Sequence, residues 1–177
     1  VVAACLSVLC LLLVNAPAGA QAPAGLNKAP DFTAKDLDGK SFHLAELLAE
    51  GPVFVDFWTT YCKPCKNEIP ELDKLYLKYK DKGFKVLLVA QDDQKSIQKV
   101  KGIITQMKIQ SIVLADPNKL VGNAFNVKNY PTSFLIAKDG TVVHFTQGYM
   151  RGDEKVLEQK LVGLLGGTGT AGSGDEK

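Results

Sequence analysis

The sequence predicts an α/β domain: a central mixed β-sheet flanked by helices, with a short hairpin added at its N-terminal side. Three observations carry that prediction. Two runs, residues 53–58 and 84–90, are almost continuously apolar and rich in β-branched or aromatic residues, as expected of strands covered on both faces. Segments with apolar residues at helical spacing follow each of them, so strand and helix alternate. At the junction between the first run and its helix stand two cysteines, Cys62-Lys63-Pro64-Cys65.

With 177 residues, 46% of them apolar, the chain can bury one full core and is short for two domains. Lys and Arg number 21 against 19 Asp and Glu, a net charge of +2, which gives no overall field that would favour nucleic acid as partner. Residues 1–20 are uncharged and apolar through Val14, ending Ala18-Gly19-Ala20, the small-x-small pattern of a signal-peptidase site. They are expected to be a signal peptide cleaved after Ala20; the alternative is an uncleaved segment tethering the chain to a membrane. On either reading the domain is exported, to the periplasm or cell envelope, and cleavage would remove Cys5 and Cys10.

Each element has a local cause. Residues 21–29, rich in Pro, Ala and Gly, read as a flexible lead-in, and the domain is expected over 30–165. Asp38-Gly39 between Phe32 and Phe42 marks a hairpin, and Leu44, Leu47 and Leu48 mark a short helix over 41–50, stopped by Gly51-Pro52. The strand 53–58 is interrupted by one acid, Asp56. After the cysteines, Ile69, Leu72, Leu75, Tyr76 and Tyr79 share a helix face that ends at Gly83, with Pro70 expected to kink it. The strand 84–90 precedes a helix marked by Ile97, Val100, Ile103, Ile104 and Met107. Then come a strand at 111–115, a short helix at 118–125, strands at 132–137 and 141–146 joined through Asp139-Gly140, and a last helix with Val156, Leu157, Leu161, Leu164 and Leu165 on its face. The tail 166–177 has almost no apolar content and is expected to be disordered.

A cysteine at the first turn of a helix meets unpaired backbone N–H groups and the positive end of the helix dipole, so its thiolate is favoured, and the thiolate is the nucleophile. One turn further on, Cys65 is close enough to close a small disulfide ring. The pair therefore predicts reversible dithiol-disulfide exchange. A zinc site would need further Cys or His ligands at suitable spacing, and His43 and His144 are isolated. A purely structural disulfide is the other alternative, though so short a loop constrains the unfolded chain little.

The segment VFVDFWTTYCKPCKNEIP resembles the active-site strand, loop and helix of the thioredoxin superfamily, and Tyr130-Pro131-Thr132 resembles that superfamily's cis-proline loop. The opening APDFTAKDLDGKSFHL and the stretch NYPTSFLIAKDGTVV are most similar to the TlpA/ResA-like branch, exported thiol-disulfide oxidoreductases related to the redoxin family. The resemblance covers about residues 29–165. It implies a thioredoxin-like fold, protein disulfides or dithiols as substrates, an envelope or membrane redox partner that resets the pair, and no metal or organic cofactor.

Carried onto this sequence, the resemblance makes Cys62 the attacking and Cys65 the resolving thiol. Asp56, a carboxyl in an apolar strand, should have a raised pKa and is a candidate proton acceptor for Cys65, directly or through a water. Glu68, three residues after Cys65, matches an acid that tunes the pair, although a glutamate in an early helical turn is also favoured by the dipole alone. Trp58 and Tyr61 are expected to flank and shield the sulfurs, or else to serve mainly in packing. Tyr130, before a cis Pro131, should offer its backbone to a substrate strand. The reading favoured is a reductant acting on protein disulfides. One alternative is a redoxin-type thiol peroxidase, against which Val55 stands where a proline is needed seven residues before Cys62. The other is a metallochaperone, for which nearby His and Met ligands are lacking.

Overall fold

The computed structural model describes residues 26–166. The expected leader with Cys5 and Cys10, most of the lead-in and nearly all of the tail lie outside the described residues. Among those described, seven strands form one mixed sheet: β1 (Thr33–Asp36), β2 (Ser41–His43), β3 (Val53–Trp58), β4 (Lys85–Ala90), β5 (Ile112–Ala115), β6 (Thr132–Ile136) and β7 (Val142–Gln147), in the order β2-β1-β5-β4-β3-β6-β7. Strands β3, β4 and β5 are mutually parallel, and all other pairs are antiparallel. Five helices cover the sheet: α1 (Leu44–Glu50), α2 (Lys63–Tyr79), α3 (Ile97–Met107), α4 (Leu120–Ala124) and α5 (Asp153–Leu164).

Side chains of β3 alternate between two cores, as the pleat of a strand requires. Phe54 and Trp58 join α2, α3 and α5 through Ile69, Leu72, Val100, Leu157 and Leu161. Val53, Val55 and Phe57 face the other way, onto α1 and α4, where Phe57, Phe125 and Phe134 pack with ring centroids 5.0 to 6.1 Å apart. All six residues of β3 are buried, which is why its sequence shows no polar alternation. Asp56 falls between Phe54 and Trp58 and so shares the α2 side.

Two glycines fix the entry to the central strands. A Cβ on Gly51 would stand 2.6 Å from the Gly83 carbonyl oxygen, and Gly83 has φ +87°, so neither position admits a side chain without backbone movement. Their close approach lets the Lys85 N–H donate to the Pro52 oxygen at 3.1 Å, where the β3–β4 ladder begins.

Local readings are revised in places. Residues 41–43 form β2 rather than the start of α1, because pairing with β1 gives their backbone partners that a seven-residue helix could not have supplied. Val156, expected on the buried face of α5, is exposed, and Leu157 and Leu161 carry the packing.

Candidate active site

The chain leaves β3 at Trp58 and makes a tight loop before α2. Asp92, just past the end of β4, holds that loop: its carboxylate accepts from the Thr60 hydroxyl at 2.6 Å and the Thr60 N–H at 2.9 Å, and all three groups are buried. The Cys62 N–H donates to the Thr59 oxygen at 3.1 Å. Cys62 is the N-cap of α2, and its sulfur accepts from the Cys65 N–H at 3.2 Å, so one orphan donor of the first turn is aimed at it. Pro64, in that turn, lacks an N–H where none is needed.

Cys62 and Cys65 are joined by a disulfide, with Cα atoms 5.4 Å apart. Their exposure differs: Cys62 retains 8% and Cys65 none. Of the two residues only Cys62 keeps any surface from which a partner could approach. The positive end of the helix will favour a thiolate on Cys62 once the bond opens.

On the same side of the sheet, in β3 and one turn beyond Cys65 in α2, lie two carboxyls. Asp56 sits directly across from Ser133 in the β3–β6 register, and the Ser133 hydroxyl is 3.0 Å from Asp56 Oδ1 and 3.5 Å from Glu68 Oε1. One hydroxyl proton thus serves two acids. The second oxygen of each, Asp56 Oδ2 and Glu68 Oε2, is buried without a partner. Burial pushes the Asp56 pKa up, opposed by the Ser133 hydrogen bond. Burial likewise raises Glu68, and the nearby Asp56 charge raises it further. Two buried carboxylates with a single donor cannot both ionise cheaply, so the pair holds a proton. Beyond Glu68, a cavity of about 10 Å³, about the size needed for one water, is lined by His144, Thr146, Tyr149 and Asp153 among others. Burial lowers the His144 pKa, so its imidazole is held neutral there.

Tyr130-Pro131 is a cis peptide bond. Pro131 lies one residue before Thr132, the partner of Phe57, and so at the end of β3 from which the cysteine loop departs. Tyr130 is half-buried and packs on both cores, whereas Tyr61 is 69% exposed. Trp58 needs a correction. It is wholly buried in the core that holds both cysteines, so it backs the pair from inside and offers no surface to a partner. Its position explains this: residue 58 continues the inward phase of Phe54 and Asp56.

Thus the structure gathers Cys62, Cys65, Asp56, Glu68 and Trp58 on one side of the sheet end, with Tyr61, Tyr130 and Pro131 around the opening. Sequence reasoning missed Ser133 and Asp92. Ser133 had a signal: it interrupts an apolar strand as Asp56 does, and two such interruptions in neighbouring strands make a pair. Asp92 had none, since its partner lies 32 positions away.

Comparison with known proteins agrees with this geometry. The Redoxin family model matches residues 25–161. The chain belongs to the redoxin family. Among curated redoxin relatives, thiol-disulfide oxidoreductase ResA from Bacillus thuringiensis is 41% identical over 116 residues, 66% of this chain and 65% of that protein. The ResA of Halalkalibacterium halodurans is 32% identical over 75% of this chain and 72% of its own length. Among solved structures, a Chlorobium tepidum protein provisionally assigned as thiol:disulfide interchange protein DsbE superposes with a TM-score of 0.72 at 32% identity, covering 78% of this chain and 96% of its own. The redoxin domain here thus has a thioredoxin-like fold. Among the described residues no cluster of His, Cys, Asp and Glu could hold a metal ion, and no helix is long and apolar enough to cross a membrane.

Proposed function

We propose that this redoxin is a thiol-disulfide oxidoreductase that reduces protein disulfides in the cell envelope. The observation that carries the reading is the asymmetric cysteine pair at the start of α2: one sulfur reachable and capped by a backbone N–H, the other covered and backed by carboxyls that hold a proton. In the reduced protein, Cys62 thiolate attacks one sulfur of a substrate disulfide. A Cys62–substrate mixed disulfide forms and the other substrate sulfur departs as thiolate. Asp56 takes the Cys65 proton, a transfer its raised pKa makes easier than for an ordinary carboxylate. The Cys65 thiolate then attacks Cys62 Sγ, closing the Cys62–Cys65 bond and expelling the second substrate sulfur. Two electrons have passed to the substrate, and a dithiol partner of the envelope must return them. Glu68 sets how readily Asp56 ionises, and Tyr130 before Pro131 supplies backbone groups for an extended substrate segment.

The names borne by the relatives support this activity, and the apolar leader supports the envelope setting, including a tether should the leader stay attached. The test is Cys65→Ser: incubated with a protein disulfide, it should accumulate a mixed disulfide through Cys62, which wild type resolves. A midpoint potential measured in glutathione buffers then fixes the direction. A pair that dithiothreitol leaves closed under native conditions would refute the proposal, and peroxide turnover surviving Cys65→Ser would assign the chemistry to a peroxidase instead.

A further inference from the structure

Although the chain as a whole is nearly neutral, its charge is unevenly placed. The disulfide lies where β3, β4 and β5 end and β6 begins. Four lysines stand on the segments that open there: Lys63 and Lys66 beside the cysteines, Lys119 in the β5–α4 loop and Lys128 in the loop leading to Pro131. None of the four forms an ion pair with a described residue. The acids that might have balanced them point inward. Asp92 is buried on Thr60, and Asp116 is buried against the Leu120 and Gly122 N–H groups and the Gln91 side chain. Asp93, the exposed acid of the β4–α3 connection, is bound to the Ser96 N–H and has Lys95 beside it. Asp153 and Glu154 accept from the N–H groups of Met150 and Gly152 at the start of α5, next to Arg151.

The β5–α4 loop is built to present its lysine. Lys119 has φ +56°, a conformation that side-chain-bearing residues adopt at a cost, and it is held there by its own N–H on the Asp116 oxygen at 3.0 Å and by Leu120 N–H on Asp116 Oδ1 at 2.8 Å. The Lys119 ammonium lies beside the Tyr130 phenol, which also lies near Tyr61. Leu120, the next residue, is 70% exposed and Tyr61 is 69% exposed. Cations thus stand beside exposed apolar side chains on the segments that open at the sheet end carrying the disulfide.

We propose that this rim is a recognition surface for protein disulfides whose cysteines are flanked by Asp or Glu, with Lys63, Lys66, Lys119 and Lys128 meeting the carboxylates while Tyr61 and Leu120 cover neighbouring apolar side chains. The inference rests on the thiol-disulfide reading and adds the partner's chemistry. A protein fits better than an anionic membrane, because the lysines share a sheet end with the sulfur that has to stay open to a second sulfur. Opposite charge acts mainly on the encounter rate and weakens with salt.

The experiment uses the reduced full chain and three disulfide-closed peptides of equal length, with acidic, neutral or basic residues flanking the cysteines. At low ionic strength the acidic peptide should be reduced roughly tenfold faster than the neutral one, and the basic one more slowly still. At 0.5 M salt the three rates should converge. The double variant Lys119→Glu, Lys128→Glu leaves two lysines against two glutamates and should abolish the preference between acidic and basic peptides; the wild-type series stands by itself should that variant fold poorly. Equal rates for all three peptides would overturn this proposal and leave the oxidoreductase reading intact, whereas no reduction of any peptide would overturn both. Binding to vesicles containing anionic lipid, with no preference among peptides, would also overturn it and assign the lysines to a membrane.

Discussion

Replacing Glu68 by Gln tests the buried carboxyl pair directly. The amide has nearly the same shape, carries no charge at any pH, and keeps its donors at every pH, whereas the Glu68 carboxyl can donate only while it is protonated. In the wild type both acids have raised pKa values, Glu68 through burial and then the Asp56 charge, Asp56 through burial. The folded state therefore binds protons that the unfolded chain has released above the ordinary glutamate value of about 4.3. A raised acid contributes stability that is complete below that value and is lost as pH climbs toward the raised one. Each retained proton gives a slope of about −1.4 kcal/mol per pH unit, or about 3 kcal/mol between pH 5 and 7. His144, whose pKa is lowered, acts with the opposite sign, stability falling as pH drops through its range, but it does so in both proteins. Urea titrations of the oxidised proteins at pH 5, 6 and 7 should thus show the wild type losing stability relative to Glu68→Gln, with the difference growing by up to about 1.4 kcal/mol per unit. Parallel stability profiles would refute the claim that Glu68 is held protonated by burial beside Asp56.

Brief alkylation of the reduced protein near neutral pH, read by mass spectrometry, should label Cys62 well before Cys65, since only Cys62 has any exposure; preferential labelling of Cys65 would reverse the roles. Asp56→Asn should slow release of the mixed disulfide by roughly 10²-fold while leaving Cys62 labelling little changed, and stopped-flow decay of the trapped species measures it. Asp92→Ala orphans the buried Thr60 N–H and hydroxyl and should cost about 2 to 3 kcal/mol by urea unfolding. Leu72→Ala, emptying a site under α2, should cost about 2 to 5 kcal/mol by the same measurement.

Much of the scaffold was legible because its signals are local. The run 53–58 reads as a doubly covered strand and is one, and the Cys62/Cys65 spacing reads as one helical turn and is one. Asp38-Gly39 and Gly83 announce turns through the conformations only glycine takes readily. What escaped depends on distance along the chain. Asp73 accepts from the Gln110 and Ser111 N–H groups, Asp92 from Thr60 and Asp116 from two N–H groups of α4. None of the three has a local pattern in the sequence that marks it as buried. Their burial follows from backbone donors brought near by the sheet order, which no local pattern encodes. Trp58 shows the converse limit: its place beside the cysteines left shielding and packing both open in the sequence, and its complete burial in a doubly covered strand favours packing.

The unequal depth of the two sulfurs imposes an order on any encounter. On the mechanism proposed above, a visiting molecule meets one nucleophile, becomes attached at a single point, and is dismissed from behind by a group it never touched. Each visit on that mechanism is one to one: a single client is held at a time, until the covered sulfur releases it.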